Sequence, residues 1–249
     1  MKTTLSILFS LFFSLFLFAQ DTYIHCGNIL DTQTGKMLSN KTIVVSGTKI
    51  TKILDGFVGK LNAKDVEIDL KNKFVLPGLI DMHVHIEKET NSASYSAKFT
   101  ENEADVAFES VRIAEITLLA GFTTVRDLGG TGVNISLRNA INKGTVKGPR
   151  IFAAGKSIAT TGGHADPTNG SSRKLMGDPG PLEGVINSPE DAVKAVRQRY
   201  KEGADVIKIT STGGVLSVAK NGKNPQFTLE EVKAVTATAK DYGMLTAAH

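Results

Sequence analysis

From Val75 to His249, apolar β-like runs alternate with helical runs, and this rhythm limits the possible folds more than any other feature of the chain. Helical periodicity over about Glu101–Ala120 sets Val106, Ala107, Val111, Ala114 and Leu118 on one stripe and stops at Gly121, a C′ glycine. The strand Phe122–Asp127 follows, then a shorter helix near Asn134–Lys143 and the strand Arg150–Ala154. Ser188-Pro189-Glu190-Asp191 supplies an N-cap, a first-turn proline and acidic residues for a helix that stops at Gly203, before Asp205–Ile209. Thr228-Leu-Glu-Glu231 is a capping box, and its helix stops at Gly243 before Met244–Ala248. With a strand near Leu79, five strands are separated by four crossovers, which predicts a parallel sheet, closed as a barrel or doubly wound. No glycine-rich dinucleotide fingerprint follows the first strand. Polar residues fall at the C-terminal strand ends: His83 and His85, Arg126 and Asp127, Lys208 and Thr210, and His249. That face carries the chemistry of (β/α) barrels. The expected class is α/β with a barrel favoured, of which residues 75–249 hold about five strands.

Ahead of this unit the pattern is short and β-like. Asn28–Asp31 precedes a turn-rich stretch, Thr42–Ser46 and Lys49–Ile53 flank Gly47-Thr48 as a hairpin, and Val66–Leu70 alternates. Residues 21–74 are expected to form a small β-unit of their own. Residues 1–20 differ again. Lys2 precedes an apolar run from Leu5 to Phe18 and the small residue Ala19, the outline of a secretory signal peptide. That run is short for crossing a hydrocarbon core about 30 Å thick, which disfavours a permanent anchor. Cys26 follows His25 rather than a small residue, so it does not fit a lipoprotein signal. The expectation is cleavage near Ala19 or Gln20, no stable membrane anchor afterwards, and a secreted or periplasmic protein.

Charge and cysteine content narrow the chemistry. Lysine plus arginine number 29 and aspartate plus glutamate 25, and a net charge of +4 spread along the chain does not argue for nucleic acid. A single cysteine excludes an intrachain disulfide and any cysteine-rich metal site. Histidine, lysine and carboxylates remain. His83 and His85 are two apart on a strand, so their side chains point to one side and can converge on one metal ion. Lys208 lies in the apolar strand Asp205–Ile209, where it either reaches water at the strand end or stays buried as a neutral amine. A neutral amine can take up carbon dioxide as a carbamate, a carboxylate-like bridge for two cations. His249 ends the strand Met244–Ala248, and on its own would more often be an ordinary loop histidine. His164, flanked by glycines in Thr160–Asp166, either reaches the mouth of the barrel or belongs to a plain loop. Arg126 and Asp127 are read as a structural pair ahead of a substrate role.

Five segments together make the pattern specific: Pro77-Gly-Leu-Ile-Asp-Met-His-Val-His85, Thr123-Thr-Val-Arg-Asp-Leu-Gly129, Thr161-Gly-Gly-His164, Asp205-Val-Ile-Lys-Ile209 and His249. They resemble the amidohydrolase superfamily, above all its imidazolonepropionase-related and metal-dependent Xaa-Pro dipeptidase branch, over roughly Asn28–His249. The resemblance implies a split β-sandwich, with residues 21–74 as its N-terminal part, beside a (β/α)8 TIM barrel holding two divalent metal ions, usually zinc. It further implies His83 and His85 on one metal, Lys208 carboxylated with carbon dioxide as the bridge, His249 on the second metal, and His164 at the substrate. Imidazolonepropionases lack the bridging lysine, so Lys208 favours the dipeptidase side. The family's strand-six histidine and strand-eight aspartate have no counterpart up to His249, so the catalytic aspartate is expected beyond residue 249 and the chain alone is expected to be inactive. The implied activity is metal-dependent hydrolysis of C–N amide bonds, with a dipeptide or other small molecule as substrate and room for a homo-oligomer. A cyclic amide or lactam substrate, and a non-catalytic metal- or ligand-binding barrel, are the alternatives.

Overall fold

A computed structural model describes residues 20–215, 217 and 221–249; the expected signal segment lies outside the described residues. The chain divides into two compact units, one ending at Pro77 and one spanning Gly78–His249.

The first unit is one four-stranded sheet in the order β3-β2-β1-β4, built from β1 (Asp21–Asp31), β2 (Lys36–Ser46), β3 (Lys49–Asp55) and β4 (Val66–Val75). β1 runs antiparallel to β2 and parallel to β4. Both β1 and β4 extend beyond the stretches that alternation marks, because polar residues such as Asp21, Lys71 and Lys73 lie on ladder positions or at a bulge. At that bulge, between Cys26 and Asn28, Gly27 lies so close to the Lys71 carbonyl that a β-carbon would overlap it. Glycine is required there by space. Cys26, Ile29 and Ile43 form a small core with Ile24, Leu38, Val45 and Val75 around them.

The second unit is α/β. Its elements are β5 (Leu79–Val84), α1 (Ser94–Thr100), α2 (Glu103–Leu119), β6 (Phe122–Asp127), α3 (Val133–Asn142), β7 (Arg150–Ala153), β8 (Ala159–Thr160), α4 (Arg173–Met176), β9 (Val185–Ile186), α5 (Pro189–Glu202), β10 (Val206–Ile209), α6 (Leu229–Asp241) and β11 (Leu245–Ala248). β5, β6 and β7 make one parallel sheet, and β10 and β11 another. Hydrogen bonds carry the chain of neighbours from one to the other: the Asp205 N–H donates to Ala153 O at 2.8 Å, and Ile158 bridges in parallel to Ile209. The helix ends follow local chemistry. Asn102 and Asp105 close a capping box on α2, the Ser188 hydroxyl accepts from Asp191 N–H ahead of Pro189 on α5, and α5 ends at Gly203 with φ of 89°. The short helix α1 has no strong apolar stripe and was not expected from the sequence.

Two apolar clusters fix the strands. Ile113 and Ala114 from α2 and Ile135 and Leu137 from α3 close over Val125 and Ile151. Ala192, Ala195 and Val196 from α5 and Val235 and Ala239 from α6 close over Ile186, Ile207 and Ile209. All four residues of β10 are buried, as a parallel strand covered on both faces requires. Among the described residues no helix is long and apolar enough to cross a membrane.

Candidate metal centre

His83 lies on β5 and His85 directly after it, and the two rings stand edge to face with centroids 5.4 Å apart. His85 Nδ1 is 2.7 Å from the Gly129 carbonyl oxygen. A carbonyl only accepts, so Nδ1 carries the proton and Nε2 keeps its lone pair, the arrangement of a metal-ligating imidazole. His249 follows β11. Its Nε2 is 3.3 Å from Gly213 O, and its backbone N–H donates to Ile209 O at 3.0 Å, which continues the β10–β11 ladder. His164 is held from the loop after β8: its N–H donates to Gln226 Oε1 at 2.8 Å, and its ring lies 4.6 Å from that of His249. Gly214 passes so close beneath the His164 ring that a β-carbon there would sit 2.6 Å from Cε1.

Lys208 is only 3% exposed and sits in the middle of β10. No carboxylate among the described residues pairs with its Nζ. Burial, and then the Arg126 guanidinium, push its amine below the ordinary lysine value. His83 is pushed down first by burial and then by Lys208, His85, His249 and Arg126. His164 is pushed down by burial and then by His249, Lys208 and His85. These mutual effects require proximity, so the fold brings His83, His85, His164, Lys208 and His249 into one neighbourhood. Imidazoles, and a lysine whose ammonium is disfavoured by burial, are groups suited to a divalent-cation site.

No group of three His, Cys, Asp or Glu side chains among the described residues stands ready to hold a metal ion. The nearby carboxylates are turned elsewhere, as Asp127 shows. Arg126 and Asp127 do not pair, contrary to the sequence reading, because successive residues of a strand face opposite ways. The Arg126 Nε donates to Met82 O at 2.8 Å, whereas the Asp127 carboxylate is fully buried and accepts from Ile86 N–H at 2.7 Å. The donor set still fits a metal: His85 Nε2 is left with a lone pair, and His164 Nδ1 is buried with no hydrogen-bond partner among the described residues. Sequence reasoning missed Glu87 and Asn134, whose one visible signal is the Gly129-Gly130 pair between β6 and a helix.

Residues 74–249 match the amidohydrolase family. The chain belongs to that family. Among solved structures, this amidohydrolase is similar to a Xaa-Pro dipeptidase crystallised with methionine in its active site, at 52% identity and a TM-score of 0.87, over 92% of this chain and 56% of that one. It is similar also to a prolidase complexed with N-methylphosphonate-L-proline, at 32% identity and a TM-score of 0.81, over 92% of this chain and 56% of that one. The ochratoxinase of Aspergillus niger is 28% identical over 244 residues, 93% of this chain and 50% of the relative. The chain spans about half the length of the curated relatives it matches.

Proposed function

We propose that the whole protein is an exported, metal-dependent hydrolase of C–N amide bonds, acting on dipeptides of the Xaa-Pro kind, with a (β/α)8 barrel as its catalytic domain. The observation that carries this reading is Lys208, buried in a parallel strand without a carboxylate partner among the described residues and near enough to His83 and His164 to lower the pKa of both. A buried ammonium left unpaired costs several kcal/mol, and its removal by carbamate formation both relieves that cost and creates a ligand. The similarity to a Xaa-Pro dipeptidase supports the substrate class.

In this reading His83, His85 and His249 offer imidazole lone pairs to two divalent ions, usually zinc. Lys208 contributes a carbamate: its amine nitrogen bonds to the carbon of carbon dioxide and releases a proton. The bound metal supplies the Lewis acidity that activates water at neutral pH and polarises the scissile carbonyl. The Gly129 carbonyl keeps the proton on His85 Nδ1. Burial and the positive charge of Arg126 disfavour the ammonium of Lys208 and so favour the amine that reacts with carbon dioxide. His164, held neutral beside His249, can hold a substrate oxygen through a ring N–H.

The test is elemental analysis and hydrolysis by the whole protein, with Xaa-Pro dipeptides, ochratoxin and a lactam as candidate substrates. Two equivalents of metal and cleavage of Xaa-Pro dipeptides are expected, with the His83→Ala/His85→Ala protein depleted of metal. Metal without cleavage of any substrate would leave a binding protein, and lactam cleavage alone would move the substrate class. Mature protein beginning near Asp21 would establish export; an intact Met1 would refute it.

A further inference from the structure

Directly after β5 the chain buries a second set of polar side chains, Glu87 at 4% exposure with Asp127 and Asn134 at 0%. Asp127 Oδ2 accepts from Ile86 N–H at 2.7 Å, while Oδ1 accepts from Gly129 N–H at 3.1 Å and from Asn134 Nδ2 at 2.8 Å. Glu87 Oε2 accepts from Thr131 N–H at 2.7 Å, and Oε1 from Asn134 N–H at 2.8 Å. One carboxylate therefore ties the backbone next to His85 to the backbone of Gly129, and the other fastens the far end of the same loop. Gly129 has φ of 141°, and a β-carbon on Gly130 would run into the Glu87 carboxylate. Both positions need glycine for the loop to pass this close.

Capping α3 does not explain so costly an arrangement, because a serine or aspartate on the loop itself would satisfy the helix N-terminus. What two buried carboxylates add is a rigid link from the exit of β5 to the exit of β6. Its product is the Gly129 carbonyl held 2.7 Å from His85 Nδ1. We propose that Asp127, braced by Glu87, is a positioning residue for His85: it holds the Gly129 carbonyl in place, locks the proton on Nδ1 and leaves Nε2 aimed and free for a divalent cation. The cation rests on the metal reading above, but the tautomer does not require one.

The experiment uses the whole protein, metal-free and labelled with ¹⁵N-histidine, with the His85 signals assigned by His85→Gln. Two-bond ¹H–¹⁵N correlations should show the proton of His85 on Nδ1. In Asp127→Asn the amide turns a donor towards N–H groups, so His85 should become a mixture of tautomers. Zinc affinity, read by chelator competition, should fall about 10- to 100-fold, the range for partners that orient a metal-bound histidine. A denaturation midpoint taken on the same samples shows whether the variant is folded. If Asp127→Asn does not fold, Glu87→Gln, which keeps the shape and one acceptor, should give the same changes in weaker form. A proton on Nε2 in the unaltered protein overturns the proposal, as does a folded variant with unchanged tautomer and affinity. If the unaltered protein binds no zinc, the metal reading fails and the tautomer measurement still decides the role of Asp127.

Discussion

At the β5–β6 end of the candidate site both buried carboxylates are bonded through both oxygens, and one imidazole has its proton fixed by a carbonyl. At the β10–β11 end, among the described residues, Lys208 is buried without a carboxylate and His164 Nδ1 without a partner. The carboxylates of the β5–β6 half are set by hydrogen bonds in advance, although Asn134 Oδ1 beside them is buried without a partner among the described residues. The β10–β11 half is left short of them, and a lysine there whose charged form burial disfavours is a group prepared for modification or for a ligand. A site made this way has one anchored edge and one edge completed by what it binds.

The largest effect expected from breaking that contrast comes from Lys208→Arg. Arginine keeps its charge and cannot form a carbamate, so the variant of the whole protein should lose the second metal and about 1000-fold or more in kcat/KM, since metal Lewis acidity supplies several kcal/mol of transition-state stabilisation. Lys208→Ala should recover part of its activity with added short carboxylic acids, which supply bridging oxygens. Full activity in Lys208→Arg would show that the unpartnered lysine serves some other purpose.

A smaller effect isolates the same lysine without metal. Its pKa in the folded protein lies below the unfolded value, so between the two the unfolded chain binds more protons. Stability of the metal-free protein should therefore rise with pH across that window, by up to about 1.4 kcal/mol per pH unit, and the penalty should be fully present below it. The depressed His83 and His164 act in the same sense with a window ending at 6.5, and above 9.0 the buried Cys26 thiol, pushed up by burial, acts in the opposite sense, so the Lys208 part is the difference from a variant without the amine. Urea unfolding as a function of pH, compared with Lys208→Met, measures the slope. An equal slope in both proteins would mean that the amine finds a partner in solution.

The contrast also explains what was legible in the sequence. Helix caps, terminal glycines and apolar periodicity carry local information, and they located α2, α5 and α6 with the strands β6, β7 and β10, but not the two-residue strands β8 and β9. His83 and His85 were readable because strand alternation alone puts them on one side. The partners of His85 were not: Asp127 is 42 residues from His85 in the chain, and its contact with Ile86 depends on the parallel pairing of β5 with β6. The expected Arg126–Asp127 pair failed for the same reason, since adjacency in sequence is opposition on a strand. Lys208 remained ambiguous until its burial was known, because strand-end and mid-strand lysines look alike in sequence.

The smallest effect serves as the reference for the others. α6 stands behind β10 and β11, its Val235 and Ala239 in the same core as Ile207 and Ile209. Its N-terminus is closed reciprocally: Glu231 N–H donates to Thr228 Oγ1 at 3.3 Å, and Thr228 N–H donates to Glu231 Oε2 at 2.7 Å. Thr228→Ala removes one side of this box and should cost about 1 kcal/mol. Because the cap lies at the helix end and touches none of the site residues, zinc affinity and the pH slope should stay as they are while the denaturation midpoint falls. If instead metal affinity dropped as far as in Asp127→Asn, any loss of stability would loosen the site, and the distinction between its anchored and open ends would lose its basis.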